Sequence, residues 1–344
     1  MAGARWTWTP VARDERFARA HHTCTPVRGK LYLFGGVTSG DSRVPPLGDV
    51  VTFQPDQNTT ECGAPQSAFR RSHHDTTLLG ERWLCSVGGW DGSRRVSSVL
   101  SYDTELGAWA LWTEGQPSSS PVGLSSHTCT RLSDHELCVV GREGGLRTQR
   151  RYASVYTLRV NASTKTYWCK EEESRTASRS GHAAVLLQTD TGHGRRSAYS
   201  LYVFGGRDSA TADWAGLWSK DKIQENTDPS PLLMEQLSRL VATPNAKRAA
   251  PKSLKHHSCS TVGPFVVAFG GETLCKGRDA VCNDLYICDT RCNPVRWFHF
   301  PGSDPHHKRV GHRTCLLNDR LYLVGGFGAD GQTPCPDICV LDIL

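Results

Sequence analysis

A short apolar segment that ends in two glycines recurs along the chain. It is found at residues 31–36, 85–89, 201–206, 266–271 and 321–326, and in a sixth copy, at residues 137–142, Arg142 replaces the second glycine. The first glycines of the six copies are 53, 53, 64, 65 and 55 residues apart. This spacing predicts a repeat protein whose unit is about 50 residues long.

Two further marks accompany each apolar segment. A histidine precedes the first glycine by 13 or 14 residues in five copies and by 23 in the fourth, where the polar stretch 188–197 lengthens the loop. These histidines are His22, His74, His127, His182, His257 and His312. A short alternating segment follows the glycines in five copies, and in three of them a tryptophan follows about ten residues later; these are Trp109, Trp168 and Trp297.

Each repeat is predicted to contain four short strands. The histidine-led and glycine-ended segments are apolar on both faces, which is typical of strands packed between neighbouring sheets. Glycine then permits the tight turn that follows. The alternating segment and the tryptophan segment supply two more strands. Four-stranded antiparallel sheets repeated around an axis form a β-propeller, and the apolar period of two excludes a helical solenoid.

The two ends of the chain are predicted to share one sheet. The sixth repeat stops at Leu344, directly after its third strand, and an additional strand with Trp6 and Trp8 stands at the N-terminus. An open ring would leave a long unpaired edge. We therefore expect residues 4–12 to complete the last sheet.

The order of histidine, Gly-Gly, Tyr-Asp and tryptophan resembles the kelch repeat over nearly the whole chain. The resemblance implies that residues 1–344 form a single all-β, six-bladed kelch β-propeller closed by the N-terminal strand. The chain departs from the pattern at three points. The third repeat has Arg142, the first lacks a tryptophan after its third strand, and the fourth carries an insertion in the corresponding region.

The insertion, residues 219–250, is polar and contains one amphipathic segment. Ser230 can cap a helix, Pro231 suits its first position and Pro244 would end it. The apolar face predicted for this blade-four helix is Leu232, Leu233, Leu237, Leu240 and Val241. Either the segment packs on the propeller or forms a partly disordered loop, or it docks another protein. In support of docking, Pro231, Leu232 and Leu240 loosely resemble the box of elongin-binding ubiquitin-ligase receptors, although Gln236 departs from it.

Arginines recur three residues before the strand-leading histidine. They are Arg19, Arg71, Arg179 and Arg309, with leucine at this position in the third and fifth repeats. Equivalent positions of a radial repeat lie at equal height, so these side chains are expected to ring one mouth of the central channel. The loops after the glycines should emerge on the same side and are also rich in arginine, including Arg94, Arg147 and Arg207.

The arginines point to an acidic ligand, because the planar guanidinium fork suits carboxylates. Kelch proteins that bind acidic degrons or C-terminal carboxylates use arginines at comparable positions. The resemblance therefore implies a partner-binding role for Arg19, Arg71, Arg179 and Arg309, with an acidic peptide or the C-terminus of a protein as the ligand. We predict that the loop residues Arg94, Arg147 and Arg207 contribute to the same site. The alternative is that they solvate loops and pair with nearby acids such as Asp41, Asp91 and Asp208.

Composition sets limits on the partner and the compartment. Lys and Arg number 40 and Asp and Glu 34, so the net charge is +6. This excess fits an acidic partner but is too small and scattered for nucleic acid. No apolar run is long enough to cross a membrane, and the first residues lack the apolar core of a signal peptide. Together with 14 cysteines, this predicts an intracellular protein, cytoplasmic or nuclear, with free thiols.

Candidate chemistry is sparse. Adjacent histidines such as His21-His22 invite a metal hypothesis, but their recurrence in separate repeats favours buried imidazoles that bond to neighbouring loops. Cys288 and Cys292 lack zinc-ligand spacing, and a reactive thiol stays open. No nucleophile elbow, phosphate loop or dinucleotide motif is present. We predict a monomeric, non-catalytic adaptor or scaffold without cofactor or metal. A substrate receptor of a cullin-type ubiquitin ligase and a propeller enzyme are the alternatives.

Overall fold

The computed structural model describes residues 4–145, 150–174, 176–189, 198–206, 213–219, 223–224, 229–244, 246–275 and 278–344. Within these residues the chain forms 27 β-strands, one α-helix and three short 3-10 helices at Glu15–Phe17, Ser67–Phe69 and Pro305–His307. The all-β class is therefore confirmed.

The strands of the first three repeats pair antiparallel, with one exception. Strand β1 (Trp6–Arg13) precedes them. The first repeat contains β2 (Thr23–Val27), β3 (Lys30–Phe34), β4 (Val50–Gln54) and β5 (Thr59–Cys62). The second contains β6 (Asp75–Leu79), β7 (Trp83–Trp90), β8 (Arg95–Asp103) and β9 (Ala108–Leu111). The third has β10 (Thr113–Glu114), β11 (Thr128–Ser133), β12 (Glu136–Gly144), β13 (Arg150–Asn161) and β14 (Thr166–Glu172). The exception is β10, which pairs parallel with β14.

The last three repeats vary more. The fourth has β15 (Ala183–Thr189), β16 (Ala198–Phe204) and β17 (Asp213–Ser219), followed by helix α1 (Pro231–Val241) and β18 (Lys247–Arg248). The fifth has β19 (Ser258–Val262), β20 (Phe265–Phe269), a hairpin of β21 (Glu272–Cys275) and β22 (Arg278–Val281), β23 (Leu285–Asp289) and β24 (Arg296–Phe300). The sixth has β25 (Arg313–Leu317), β26 (Arg320–Val324) and β27 (Asp337–Ile343).

The chain divides into two compact units. The first unit, residues 1–44, 50–62 and 227–344, holds the sheets β2-β3-β4-β5, β18-β24-β23-β20-β19 and β1-β27-β26-β25. The second unit, residues 45–49 and 63–226, holds β6-β7-β8-β9, β10-β14-β13-β12-β11 and β15-β16-β17. Five sheets therefore have four or five strands, whereas the described part of the fourth repeat contributes three. The number six for the blades stays a prediction.

Apolar cores lie between the sheets of each unit. In the first unit, Leu33 of β3 shares a buried cluster with Leu317 of β25 and Ile338 of β27. In the second unit, Val87 of β7 shares one with Leu137 of β12. All five residues of β20 are buried. The strands that end in Gly-Gly thus pack on both faces, as the uninterrupted apolar runs predict.

Strand β1 completes the sheet of the sixth repeat. It pairs antiparallel with β27, so that Trp6 lies opposite Ile343 and Trp8 opposite Leu341. The Trp8 side chain is 1% exposed, and its ring meets Phe269 edge-on at a centroid distance of 4.9 Å. The predicted pairing of the first and last strands is confirmed.

Helix α1 packs on the first unit. Leu233, Leu237 and Leu240 enter the core that also contains Trp8 and Phe265. This core belongs to the fifth and sixth repeats, so the contacts of the helix do not support its assignment to the fourth blade. Leu232 was predicted on the buried face but is 55% exposed.

The N-terminus of α1 is capped from a distant turn. The Ser230 side chain makes no capping hydrogen bond, although Pro231 occupies the start of the helix as predicted. Instead the Asp319 carboxylate, in the turn between β25 and β26, accepts hydrogen bonds of 3.0 Å from both Leu232 N and Leu233 N. A carboxylate at this end satisfies free N–H groups and opposes the positive end of the helix dipole.

We expect Asp319→Ala to lower the free energy of unfolding by about 1 kcal/mol, because two N–H groups of α1 lose their acceptor. Ser230→Ala is the matched control and should change it by less than about 0.5 kcal/mol, since the Ser230 hydroxyl has no hydrogen-bond partner in the described residues. Urea denaturation of both variants measures the difference. A larger loss in the Ser230 variant would show that Ser230 is the cap.

Candidate functional site

The six strand-leading histidines are buried, from 0% exposed at His22 to 8% at His257. The rings of His22, His127, His182 and His312 lie against the first glycine of the preceding repeat of the same unit. His127 Nε2 lies 2.9 Å from Val87 O, and His312 Nε2 lies 3.0 Å from Phe269 O. These two imidazoles are buried and structural, as predicted, but they bond to strands of a neighbouring repeat and not to loops.

The glycine pairs leave the space that these histidine side chains occupy. A Cβ added at Gly325, the first glycine of its pair, would lie 2.7 Å from His22 Cε1 and 2.5 Å from Arg19 O. A Cβ at Gly326 would lie 2.6 Å from the Cβ of His312, the histidine of its own repeat. Both glycines have positive φ, +62° and +90°. One glycine therefore makes room for the next repeat, and the other for its own.

The residue before each strand-leading histidine has a left-handed backbone. These residues are His21, His73, Ser126, Gly181, His256 and Gly311, with φ between +52° and +68°. Their peptide groups are joined in series within each unit. His21 N donates to Gly311 O at 2.8 Å and Gly311 N donates to His256 O at 2.9 Å. The adjacent histidines are thus explained by backbone geometry, and the described residues hold no group of three metal-ligating side chains.

The buried histidines give stability a pH dependence. Burial lowers the pKa of His257 to about 4 and that of His312 to about 3, from 6.5. Below pH 6.5 the unfolded chain binds protons that the folded chain excludes, so stability is full above pH 6.5 and is lost as the pH falls towards 4. We expect the urea midpoint to decrease steadily from pH 6.5 to pH 4.5. A midpoint that stays constant over this range would contradict neutral, buried imidazoles.

The side chains of Arg19 and Arg179 stabilise the loops of their own repeats. Arg19 is 2% exposed and Arg179 1%. Arg19 donates from Nε and Nη2 to Arg16 O at 2.9 and 2.7 Å and from Nη1 to Gly35 O at 3.0 Å. Arg179 Nη1 donates to Gly205 O at 3.1 Å. Each guanidinium therefore holds the carbonyl group of the first glycine in its own repeat.

Arg71 and Arg309 are also buried, at 6% and 3% exposed, but their hydrogen bonds go to other groups. Arg71 donates to Arg70 O at 2.7 Å and to Ser98 Oγ at 3.2 Å. Arg309 Nη1 donates to His306 O at 2.6 Å and to Lys308 O at 2.9 Å. In the described residues Nε of both side chains is buried without a hydrogen-bond partner. Burial lowers the pKa of Arg71, and the attraction of Asp91 opposes this shift.

The loop arginines fall into two groups. Arg94 is exposed and lies 4.0 Å from the Asp91 carboxylate, and Arg43 forms a 2.7 Å ion pair with Asp41. Both therefore have the local acidic partners that the alternative interpretation expects. Arg147 and Arg207 lie outside the described residues. Of the seven predicted arginines, Arg19 and Arg309 lie in the first unit, and Arg71, Arg94 and Arg179 in the second.

One basic residue of the second unit was not predicted as a site residue. Arg142 is 8% exposed, and its guanidinium carbon lies 3.9 Å from the centroid of the Tyr152 ring. The sequence shows Arg142 only as a defect of the third glycine pair. The glycines that follow it, Gly144 and Gly145, were the available sign that this loop is arranged around a bulky side chain.

Most of the residues that the docking-helix hypothesis requires are buried in the core. Leu240, the second leucine of the resemblance to elongin-binding receptors, is 1% exposed, and Leu237 is fully buried. Of the four leucines of the helix, only Leu232 is presented to solvent.

The thiols are also mostly internal. Burial raises the pKa of Cys85 and of Cys288 to about 12, so both are protonated at neutral pH.

The sheets, the interlocking histidines and the glycine pairs define a kelch-type β-propeller. The family model for the KLHDC2/KLHL20/DRC7 Kelch-repeats domain matches residues 126–344. The chain belongs to the kelch-repeat family, and the resemblance seen in the sequence is confirmed. This fold is consistent with a protein-interaction domain.

Similar proteins cover the whole chain. Kelch domain-containing protein 9 of Homo sapiens is 54% identical over 343 residues, which is 100% of this chain and 97% of that protein. The protein of the same name from Mus musculus is 54% identical over 99% of this chain and 97% of its own length. The solved structure titled "Structure of YjhT" matches in fold alone, with a TM-score of 0.60 and 11% identity over 98% of this chain and 99% of that one. Among the described residues, none of the helices has the length and apolar character needed to cross a membrane.

Proposed function

We propose that this kelch domain is a non-catalytic adaptor or scaffold that binds an acidic peptide or a terminus of a protein partner. The observation that carries the proposal is the state of Arg71 and Arg309. Both residues are more than nine-tenths buried, and among the described residues neither forms an ion pair with a carboxylate, although Asp91 attracts Arg71 from a longer distance. Arg19, Arg94 and Arg179, together with Arg147 and Arg207, are proposed to contribute to the same recognition.

The physical argument is one of charge compensation. A buried cation without a counterion is costly, because protein dipoles replace only part of the lost hydration. Backbone carbonyl groups hold Arg71 and Arg309 in place, and Nε of each stays without an acceptor in the described residues. A carboxylate supplied by a partner at the exposed part of either side chain would provide the missing charge.

We further propose that the six repeats are six blades of one propeller spanning residues 1–344. The protein is proposed to act as a monomer in the cytoplasm or nucleus. The cullin-type ligase receptor has no comparable support, since Leu240 is buried, and no contact among the described residues favours a propeller enzyme.

The test is binding of a fluorescently labelled octaglutamate peptide, with octaglutamine as the neutral probe. Arg71→Met and Arg309→Met keep the aliphatic stem and remove the charge, and we expect each to weaken octaglutamate binding about tenfold or more. Arg320→Met and Lys170→Met, at exposed positions of the first and second unit, are the matched controls and should bind as wild type does. Equal affinity of the wild type for both peptides would overturn the proposed function.

A further inference from the structure

We infer that Arg142 is an additional carboxylate-binding residue for the acidic partner. This inference rests on the proposed function and deepens it, because it assigns recognition to the residue that breaks the glycine pattern of the third repeat. The ligand is the side-chain or terminal carboxylate of a peptide.

The Arg142 guanidinium is held in a defined plane. It stacks over the Tyr152 ring at 3.9 Å, and Nη1 donates to Gly123 O at 2.9 Å and to Val122 O at 3.4 Å. Stacking on an aromatic ring and hydrogen bonds at one nitrogen remove most rotational freedom from the side chain. A positioned guanidinium binds a carboxylate at a lower entropic cost than a mobile one.

The surrounding loop is shaped for this side chain. A Cβ at Gly144 would overlap Arg142 Nη1 and would lie 2.5 Å from Tyr152 Cε2. Gly144 therefore provides the space in which the guanidinium and the tyrosine ring meet. Gly141, the first glycine of the pair, keeps its φ of +63°, and a Cβ added there would lie 2.7 Å from His182 Cε1. The third repeat therefore keeps the first glycine, Gly141, which the histidine of the fourth repeat requires. At the second position of the pair it has a cation, Arg142.

The stereochemistry leaves one nitrogen of the guanidinium for a ligand. Nη1 is occupied and Nε is buried without a partner, whereas the described residues provide no acceptor for Nη2. Nη2 is therefore the nitrogen that a carboxylate of the partner would contact, with a charge-assisted hydrogen bond. The adjacent acid, Glu143, is already engaged by Arg95 at 3.4 Å and by Ser180 at 3.1 Å.

A second cation lies beside Arg142 in the next repeat. Arg142 N donates to Arg179 O at 3.1 Å, so the two arginines belong to neighbouring repeats in direct backbone contact. Arg179 is one of the residues already proposed to bind the partner. Arg142 thus adds a positive charge at the second position of the glycine pair. The other repeats with a described glycine pair have glycine there, so Arg142 is a specificity element of the third repeat.

The test compares Arg142→Gly and Arg142→Lys with wild type in the octaglutamate assay. Arg142→Gly restores the residue of the other repeats and is expected to weaken binding about tenfold or more. Arg142→Lys keeps the charge but not the fork, and we expect a smaller loss of several-fold. Arg159→Gln, an exposed arginine of the same sheet, is the control and should leave affinity unchanged.

The outcomes separate this inference from the proposed function. Unchanged octaglutamate affinity of Arg142→Gly, with or without a lower melting temperature, would show that the stack on Tyr152 is purely structural and would overturn the inference alone. If Arg142→Gly does not fold, unchanged affinity of Arg142→Lys has the same consequence. No preference of the wild type for octaglutamate over octaglutamine would overturn both.

Discussion

Replacing Gly325 with alanine is expected to lower the free energy of unfolding by about 3–5 kcal/mol. Two costs add at this position. The residue has φ +62°, where an L side chain is strained, and the new Cβ would lie 2.5 Å from Arg19 O and 2.7 Å from His22 Cε1. The carbonyl belongs to the backbone and His22 is fully buried, so neither neighbour can move cheaply. Equilibrium denaturation in urea measures the loss.

Gly29→Ala isolates the conformational part of this cost. Gly29 also has a positive φ, +76°, but an added Cβ would meet nothing within 4 Å. We expect it to lose only about 1–2 kcal/mol. Equal losses in the two variants would show that backbone strain alone makes the glycine necessary, and that the close packing of His22 on Gly325 contributes nothing.

Truncation of Trp8 to alanine should lower the free energy of unfolding by about 3–5 kcal/mol, because it empties a large volume in a closed core. Trp8 is 1% exposed and shares its cluster with Phe269, Leu240 and Leu341. The side chain therefore joins the N-terminal strand to the helix and to the sheets of the fifth and sixth repeats. Urea denaturation followed by circular dichroism would report the loss.

Thr9→Ala is the matched control in the same strand, since Thr9 is exposed and should change stability by less than about 0.5 kcal/mol. Deletion of residues 1–12 removes all but the last residue of β1 and should cost more than Trp8→Ala. A melting temperature that is unaffected by this deletion would show that β1 adds nothing to the sheet of the sixth repeat.

The repeating part of the fold was predictable because its contacts fall between fixed positions. The histidines and the glycine pairs recur at regular positions in the sequence, and the structure shows that a histidine ring lies against the first glycine of the preceding repeat of its unit. Because only glycine tolerates this close approach, a glycine at this position in the sequence indicates the contact. The strands were likewise predictable, since burial on both faces leaves an uninterrupted apolar run.

The features that the sequence did not predict occur where a residue distant in sequence takes the role expected of a local residue. Ser230 obeys the local rule for a helix cap, yet Asp319, 87 residues away from Leu232, takes its place. Arg19 and Arg309 are a similar case. Their spacing shows that they are equivalent, but their burial depends on how loops of the same unit close over them. Arg142 resembles a defect of the repeat because a single sequence does not reveal that Tyr152 stacks on it.

The pairing of β1 with β27 has a consequence for biosynthesis. Leu341, the partner of Trp8, is made 333 residues after it. At 5–20 residues per second the nascent polypeptide carries an unshielded N-terminal segment with two indole rings for roughly 15–70 seconds. Folding of the earlier repeats can proceed in that interval, but the sixth sheet cannot, and chaperones that hold apolar segments would have their longest opportunity at this end of the polypeptide.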